Sequence, residues 1–280
     1  MLEENQYSEL VRKIINDGDY QTGRNGNTYS VFGHSMRFSL IDGTLPLLTT
    51  KQVSWKTCFK ELQWFISGST DNKKLNEMRV HIWDANDVIG DNDLGPIYGH
   101  QWRHFNAPYK NCSTDYSGQG IDQLMNVVAM LKDKEQRFSR RIIMSAWNPC
   151  QLDEMALPPC HVLVQFNVRK NNRLSCSLYQ RSGDVGLGVP FNIASYSFLT
   201  HILAKHCDLI ADEFVYFIGN AHIYESHKEP LLRQIERTPF AFPRIEIINK
   251  HEKMEDYNLG DIKWISKYLH HDKISMEMVA

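Results

Sequence analysis

Apolar residues recur at the three-to-four spacing of one helix face near the start of the chain. Tyr7, Leu10, Val11, Ile14 and Ile15 predict a helix over 5–17, which Gly18 stops. A polar loop is expected over 21–27, followed by strand-like runs at 28–32 and 36–40 broken at Gly33. Cys58, Glu61, Leu62 and Phe65 share a face of a helix over 54–66. Ile121, Leu124, Met125, Val128 and Leu131 predict another over 121–131. Residues 141–147 read as a strand, and 161–168 with 173–180 as a hairpin around Lys170-Asn171-Asn172. Residues 191–207 are apolar nearly all round, the pattern of a buried helix. A strand over 213–219, a helix over 225–237 and a strand over 244–248 complete the pattern.

Helices and strands mix without a strict βαβ rhythm. The expected class is therefore α+β: a large mixed β-sheet covered by helices. No repeat, low-complexity tract or linker interrupts the 280 residues, so 1–280 reads as a single domain near the upper size for one core. The segment 87–117 is rich in Gly, Asn, Asp and Pro and long for a loop, which points to function. The formal net charge of -2 gives no global basic field for a nucleic-acid backbone or an anionic membrane, so any bound anion needs a local cluster. No apolar run approaches the roughly 20 residues of a membrane span. The acidic start lacks the order of a secretory signal. None of the six cysteines forms C-x-x-C, and Cys58, Cys176 and Cys207 read as core thiols of a protein in a reducing compartment. The twelve histidines show no ligand spacing, and no metal site is expected.

Cys160 follows Pro158-Pro159 and stands at a strand entrance. Its plain reading is a small buried hydrophobe, but a rigid Pro-Pro lead-in is a poor way to build a core. A nucleophilic thiol needs a nearby cation. His161 should face away from the sulfur, since adjacent strand residues alternate sides. Arg181, in Gln180-Arg181-Ser182-Gly183-Asp184, is the better partner. That segment runs through Gly186-Leu187-Gly188 to Asn192, a grouping suited to holding anions at a helix start. Arg140-Arg141 and Arg24 each read singly as solvated edges; with Arg181 they make a set able to converge on a dianion. Glu61, on an apolar face, is either ion-paired with Lys51 or Lys60 or shifted upward in pKa and able to relay protons. His222 and Tyr224 point the same way, either as sugar-hydroxyl partners or as a half-buried strand end.

These residues stand within a longer series of motifs: Phe32-Gly33-His34, Pro46-Leu47-Leu48-Thr49-Thr50-Lys51, Glu61-Leu62-Gln63-Trp64-Phe65, Ile82-Trp83-Asp84, Asp93-Leu94-Gly95-Pro96-Ile97-Tyr98-Gly99, Ser139-Arg140-Arg141-Ile142, Pro158-Pro159-Cys160-His161 and His222-Ile223-Tyr224. In this order they resemble thymidylate synthase from about residue 7 onward, in its animal and viral form. The resemblance implies reductive methylation of dUMP to dTMP, with 5,10-methylenetetrahydrofolate as co-substrate and dihydrofolate released. It makes Cys160 the nucleophile at C6 and Arg181 its partner and a phosphate ligand. It gives Arg24 and Ser182 to the phosphate, and Arg140 and Arg141 to the phosphate of a neighbouring subunit, in a homodimer joined through a sheet face. Gln180, Gly183 and Asp184 line the nucleotide site; Asn192 reads the uracil edge; His222 and Tyr224 hold the 3′-hydroxyl. Glu61 relays a proton near Tyr98. Asp184, Trp83, Leu187, Gly188 and Val279 fall to the folate. The implied location is the cytoplasm or nucleus, or a host cytosol for a viral protein. Some positions depart from the family pattern: Asn25 for Thr, Asn220 for Asp, and Lys267-Tyr268-Leu269-His270-His271-Asp272 near the end. The alternatives are a deoxyuridylate hydroxymethyltransferase of the same fold, a cysteine hydrolase, for which no base pair is placeable, and a nucleotide- or RNA-binding protein without turnover.

Overall fold

The computed structural model describes residues 2–23 and 25–279. Tyr7, Leu10, Val11 and Ile14 bury one face of α1 (Asn5–Asp17), and the Gly18 N–H donates to the Ile14 carbonyl to end it. A side chain at Gly18 would collide with that same carbonyl oxygen.

The segment expected as a polar loop is a hairpin. β1 (Asp19–Gly23) pairs antiparallel with β2 (Gly26–Ser39). Every residue of β1 is exposed, so no apolar alternation betrays it. β2 is also not broken at Gly33. The glycine takes φ +77° inside the strand, and pairing resumes at once on the other side of it.

The middle of the chain supplies α2 (Trp55–Ile66), the short α3 (Asn72–Glu77), α4 (Tyr98–His104) and α5 (Gln123–Lys132). α4 was concealed within the Gly- and Pro-rich stretch. Then come β3 (Ile143–Ser145), β4 (His161–Arg169), β5 (Arg173–Asp184), α6 (Gly188–His206), β6 (Ile210–Tyr224) and α7 (Lys228–Ile235). A separate ribbon joins β7 (Ile245–Ile247) to β8 (Ile262–Trp264).

Among the described residues the main sheet has the order β1-β2-β6-β5-β4-β3. Its pairs are antiparallel except β5–β6, which is parallel. A parallel pair needs a crossover, and α6 provides it. That helix is buried on nearly all sides, with Phe198 meeting Phe59 of α2 edge-on at 5.3 Å. The class is thus α+β with one large mixed sheet, as the pattern implied.

The sheet has two unlike faces. Leu174, Cys176 and Leu178 of β5 point into the core with Phe214 and Tyr216 of β6. On the opposite face Tyr179 and Phe217 are exposed beside Ser177 and Gln165. Among the described residues no helix is long and apolar enough to cross a membrane.

Both long strands outrun their expected ends, and this matters for the site. β5 continues to Asp184 and β6 to Tyr224, so Ser182 pairs with Asn220 and Asp184 with His222. Two polar segments expected at or just past the strand ends are paired within the sheet.

Candidate active site

Cys160 sits just before β4, and its backbone is tied on both sides. Its N–H donates to the Tyr98 hydroxyl at 2.8 Å, as does that of His161 at 3.3 Å. Its carbonyl accepts from the Arg181 N–H at 2.9 Å. The Arg181 guanidinium folds back onto the proline pair, with Nε donating to the Pro159 carbonyl (2.9 Å) and Nη2 to that of Pro158 (2.8 Å). It also lies over the Trp147 ring at 5.7 Å, within cation–π range. Burial pushes the Cys160 thiol up, and the Arg181 charge works against that rise.

The His161 ring lies on the core face of the sheet. Its Nε2 accepts from the Asn192 amide at 2.7 Å, and it packs against Tyr98 and Tyr196. Burial pushes its pKa down to about 4, with the Asn192 contact working the other way. The ring is therefore neutral near pH 7. The Tyr216 hydroxyl donates to Gln180 Oε1 at 2.6 Å and stands 3.4 Å from Asn192 Oδ1. Gln180 Nε2 in turn donates to the Ser182 carbonyl at 2.8 Å. The Asn192 amide is thus fixed from both ends.

Glu61 occupies the inner face of α2. Its Oε1 accepts from Trp83 Nε1 at 2.8 Å. Neither lysine offered as an ion-pair partner reaches it: Lys51 Nζ donates to the Gly186 carbonyl and Lys60 Nζ to that of Met78. Burial pushes the Glu61 carboxyl up to about 7, restrained by the Trp83 hydrogen bond. Trp83, Phe65 and Tyr98 form one aromatic wall, with ring centroids 4.8–6.4 Å apart. The wall connects the carboxylate to the tyrosine that holds Cys160.

At the end of β5, Asp184 Oδ1 accepts from the Gly186 N–H at 2.8 Å. Lys51 faces the same carboxylate; burial lowers its pKa to about 8, with the Asp184 charge resisting. His222 Nδ1 meets Asn220 Oδ1 at 3.1 Å. Burial lowers the His222 pKa, so the ring is neutral, donates from Nδ1, and leaves Nε2 as an acceptor. The Tyr224 ring lies edge-on to it at 5.3 Å. Gly183 is closely walled: a Cβ there would come within 3.0 Å of Val189. Leu187 and Gly188 open α6, where a Cβ on Gly188 would meet nothing nearer than 3.8 Å. Val279 is half-buried in the final segment.

Other expected residues lie apart. Arg24 falls outside the described residues. Arg140 and Arg141 are exposed just before β3, where the Arg140 carbonyl accepts from Gln165 midway along β4. Gln165 is five positions along the chain from Cys160, a distance of roughly 17 Å. Sequence reasoning overlooked Tyr216 and offered Lys51 only as an ion-pair partner of Glu61. Tyr216 lay hidden in an apolar strand, whereas a lysine directly after the buried Thr49-Thr50 pair was a usable signal.

A restrained thiol, a buried carboxyl pushed up to about 7 and a fixed amide, joined through one aromatic wall, are the arrangement expected of a nucleophilic-thiol enzyme. The chain belongs to the thymidylate synthase family: a family model of that description matches residues 5–280. The chain is 50% identical to the thymidylate synthase of Homo sapiens, covering 98% of this chain and 90% of the human protein. It is 47% identical to that of Saccharomyces cerevisiae, covering 99% and 97%. It is also 49% identical to a bifunctional dihydrofolate reductase-thymidylate synthase of Paramecium tetraurelia; 99% of this chain is matched, spanning 62% of that protein's length.

Proposed function

We propose that the protein, acting as a single domain over 1–280, methylates dUMP to dTMP with 5,10-methylenetetrahydrofolate and releases dihydrofolate. The observation that carries this reading is the continuous link from Cys160 through Tyr98 and Trp83 to Glu61, with Asn192 held beside it by His161.

Cys160 adds to C6 of the uracil ring, which makes C5 a nucleophilic enolate carbon. Arg181 favours the thiolate and, with Ser182 and Arg24, binds the phosphate. Asn192 spends one amide hydrogen on His161. Its Oδ1 accepts from N3–H, and its second amide hydrogen serves O4. A cytosine would set its N3 lone pair against that oxygen. His222 accepts from the 3′-hydroxyl at Nε2, with Tyr224 beside it. Gln180, Gly183 and Asp184 complete the nucleotide walls. The folate supplies the methylene carbon and the hydride, and Cys160 leaves C6 as the C5–C6 double bond re-forms. Asp184 takes its pterin ring, with Trp83, Leu187, Gly188 and Val279 around it. Glu61, titrating near 7, takes up the C5 proton through water.

Arg140 and Arg141 cannot reach this phosphate within one chain. A homodimer joined through the open sheet face, where Tyr179 and Phe217 are exposed, would bring them to the neighbour's site. The cysteines at the described positions are free thiols, which suits a cytoplasmic location.

The test is incubation with dUMP and 5,10-methylenetetrahydrofolate while dihydrofolate is followed by absorbance. Stoichiometric dihydrofolate and dTMP are expected. Tetrahydrofolate with 5-hydroxymethyl-dUMP would replace this reading with the hydroxymethyltransferase.

A further inference from the structure

His227 lies in the turn before α7 and has no exposed surface. The sequence placed it in a helix and gave it no role. Its Nε2 is 2.7 Å from the backbone carbonyl of Glu277, in the final segment of the chain. A carbonyl only accepts, so Nε2 carries a hydrogen. Its Nδ1 is 3.5 Å from Asp184 Oδ1 and has no hydrogen-bonding partner of its own.

Gly186 marks where these groups meet. A Cβ built there would sit 2.6 Å from His227 Nδ1, 3.0 Å from Met276 Sδ and 3.2 Å from Asp184 Oδ1. The imidazole, the tail methionine and the carboxylate therefore share one small volume that only a glycine leaves open. Lys51 bonds the Gly186 carbonyl from the other side.

We propose that His227 is a positioning residue that couples the Asp184 carboxylate to the C-terminal segment, holding 276–279 against the folate side of the site. The inference rests on the assignment of Asp184 to folate.

The physical reason is electrostatic. With Nε2–H committed to Glu277, a neutral ring would turn the Nδ1 lone pair toward a carboxylate oxygen. A protonated ring turns an N–H toward it instead. Burial lowers the His227 pKa, while the Asp184 contact and charge and the Glu277 carbonyl raise it; Lys51 lowers it, and the balance lies above the usual value. The other titratable groups facing it are His222, which shares the Asp184 field, and Tyr224, whose ring stands 5.5 Å away. Of the raising causes, docking itself supplies the Glu277 carbonyl; it favours the protonated ring, so the tail is held best at low pH and loosens as pH rises through the docked value. Folate affinity and tail docking are then linked through one carboxylate, and linkage of this kind is reciprocal.

Hydrogen exchange of the 273–279 amides, corrected for intrinsic rates and measured on the ligand-free full chain at pH 6 and pH 8, tests the coupling. In the unaltered protein protection should fall with rising pH. His227→Gln keeps a donor for Glu277 but carries no charge, so its protection should be lower at pH 6 and independent of pH. His227→Asn keeps a donor toward Asp184 but is too short for Glu277, so it should expose the tail at both values. The KM for 5,10-methylenetetrahydrofolate should rise by about tenfold in both variants while that for dUMP stays within about twofold. Tail exchange in both variants matching the unaltered protein at both pH values would overturn the proposal. Should one variant not fold, the other still decides. Exchange is read without ligand, so a lack of dihydrofolate from the unaltered protein would overturn the function and leave this test standing.

Discussion

Glu61→Gln should raise the stability of the folded protein at pH 8 while removing most of its activity. In the native state burial holds the Glu61 carboxyl near 7, against an ordinary value of 4.5. Between those values the folded chain keeps a proton that the unfolded chain has released. Stability therefore falls as pH rises through this window, and above about 7 the full cost applies. The interval, at ~1.4 kcal/mol per pH unit, comes to ~3 kcal/mol. Glutamine escapes that cost and keeps an oxygen for the Trp83 N–H, but its amide hydrogens lack the water the carboxylate would recruit, an offset of about 1–2 kcal/mol. A net gain of about 1–2 kcal/mol at pH 8 remains, and it should vanish or reverse at pH 5.

Urea unfolding of both proteins at pH 5 and pH 8, at one fixed protein concentration, measures the difference. Dihydrofolate production measures the loss, which should reach at least about a hundredfold for a missing general base. A stability difference equal at the two pH values would refute the reasoning, because it would place Glu61 at its ordinary pKa and leave no group titrating near neutrality.

Further outcomes follow from the same geometry. Cys160→Ala should abolish dihydrofolate production yet leave dUMP binding measurable by calorimetry; surviving turnover would remove the nucleophile assignment. Asn192→Asp should shift the kcat/KM ratio toward dCMP by at least about tenfold, since a protonated carboxyl can donate to the cytosine N3; an unchanged ratio would show that another group reads the base. Glu4→Gln should cost about 2–3 kcal/mol in urea unfolding, because the buried Glu4 carboxylate accepts from the backbone and hydroxyl groups of both Thr49 and Thr50. A cost below about 0.5 kcal/mol would mean that these bonds are readily replaced.

What could be read from the chain was local. The apolar face of α1 and its glycine stop lie within one short segment, and the observed limits agree with the pattern. The β4–β5 hairpin announced itself through Lys170-Asn171-Asn172, where Asn171 and Asn172 take positive φ. What escaped was non-local. β1 exposes every residue and exists because it pairs with β2. The state of Glu61 depends on where Lys51 and Lys60 reach, and both end on carbonyls of other segments. His227 looked like a helix residue because its partners, Asp184 and Glu277, lie 43 and 50 positions away.

The same distinction explains how the thiol is controlled. No adjacent base is needed, because the restraints on Cys160 come from two remote elements. Tyr98 of α4 takes its N–H, and Arg181 of β5 donates to its carbonyl and to the two prolines before it. Each restraining residue also meets a second part of the site. Tyr98 touches Trp83, which bonds Glu61, and Arg181 is the charge that opposes burial at the sulfur. Moving Cys160 would therefore disturb the proposed proton relay and the proposed anion site together. This is a physical reason for Pro158-Pro159: with φ fixed in advance at both residues, little conformational entropy remains to be lost in setting the sulfur in place.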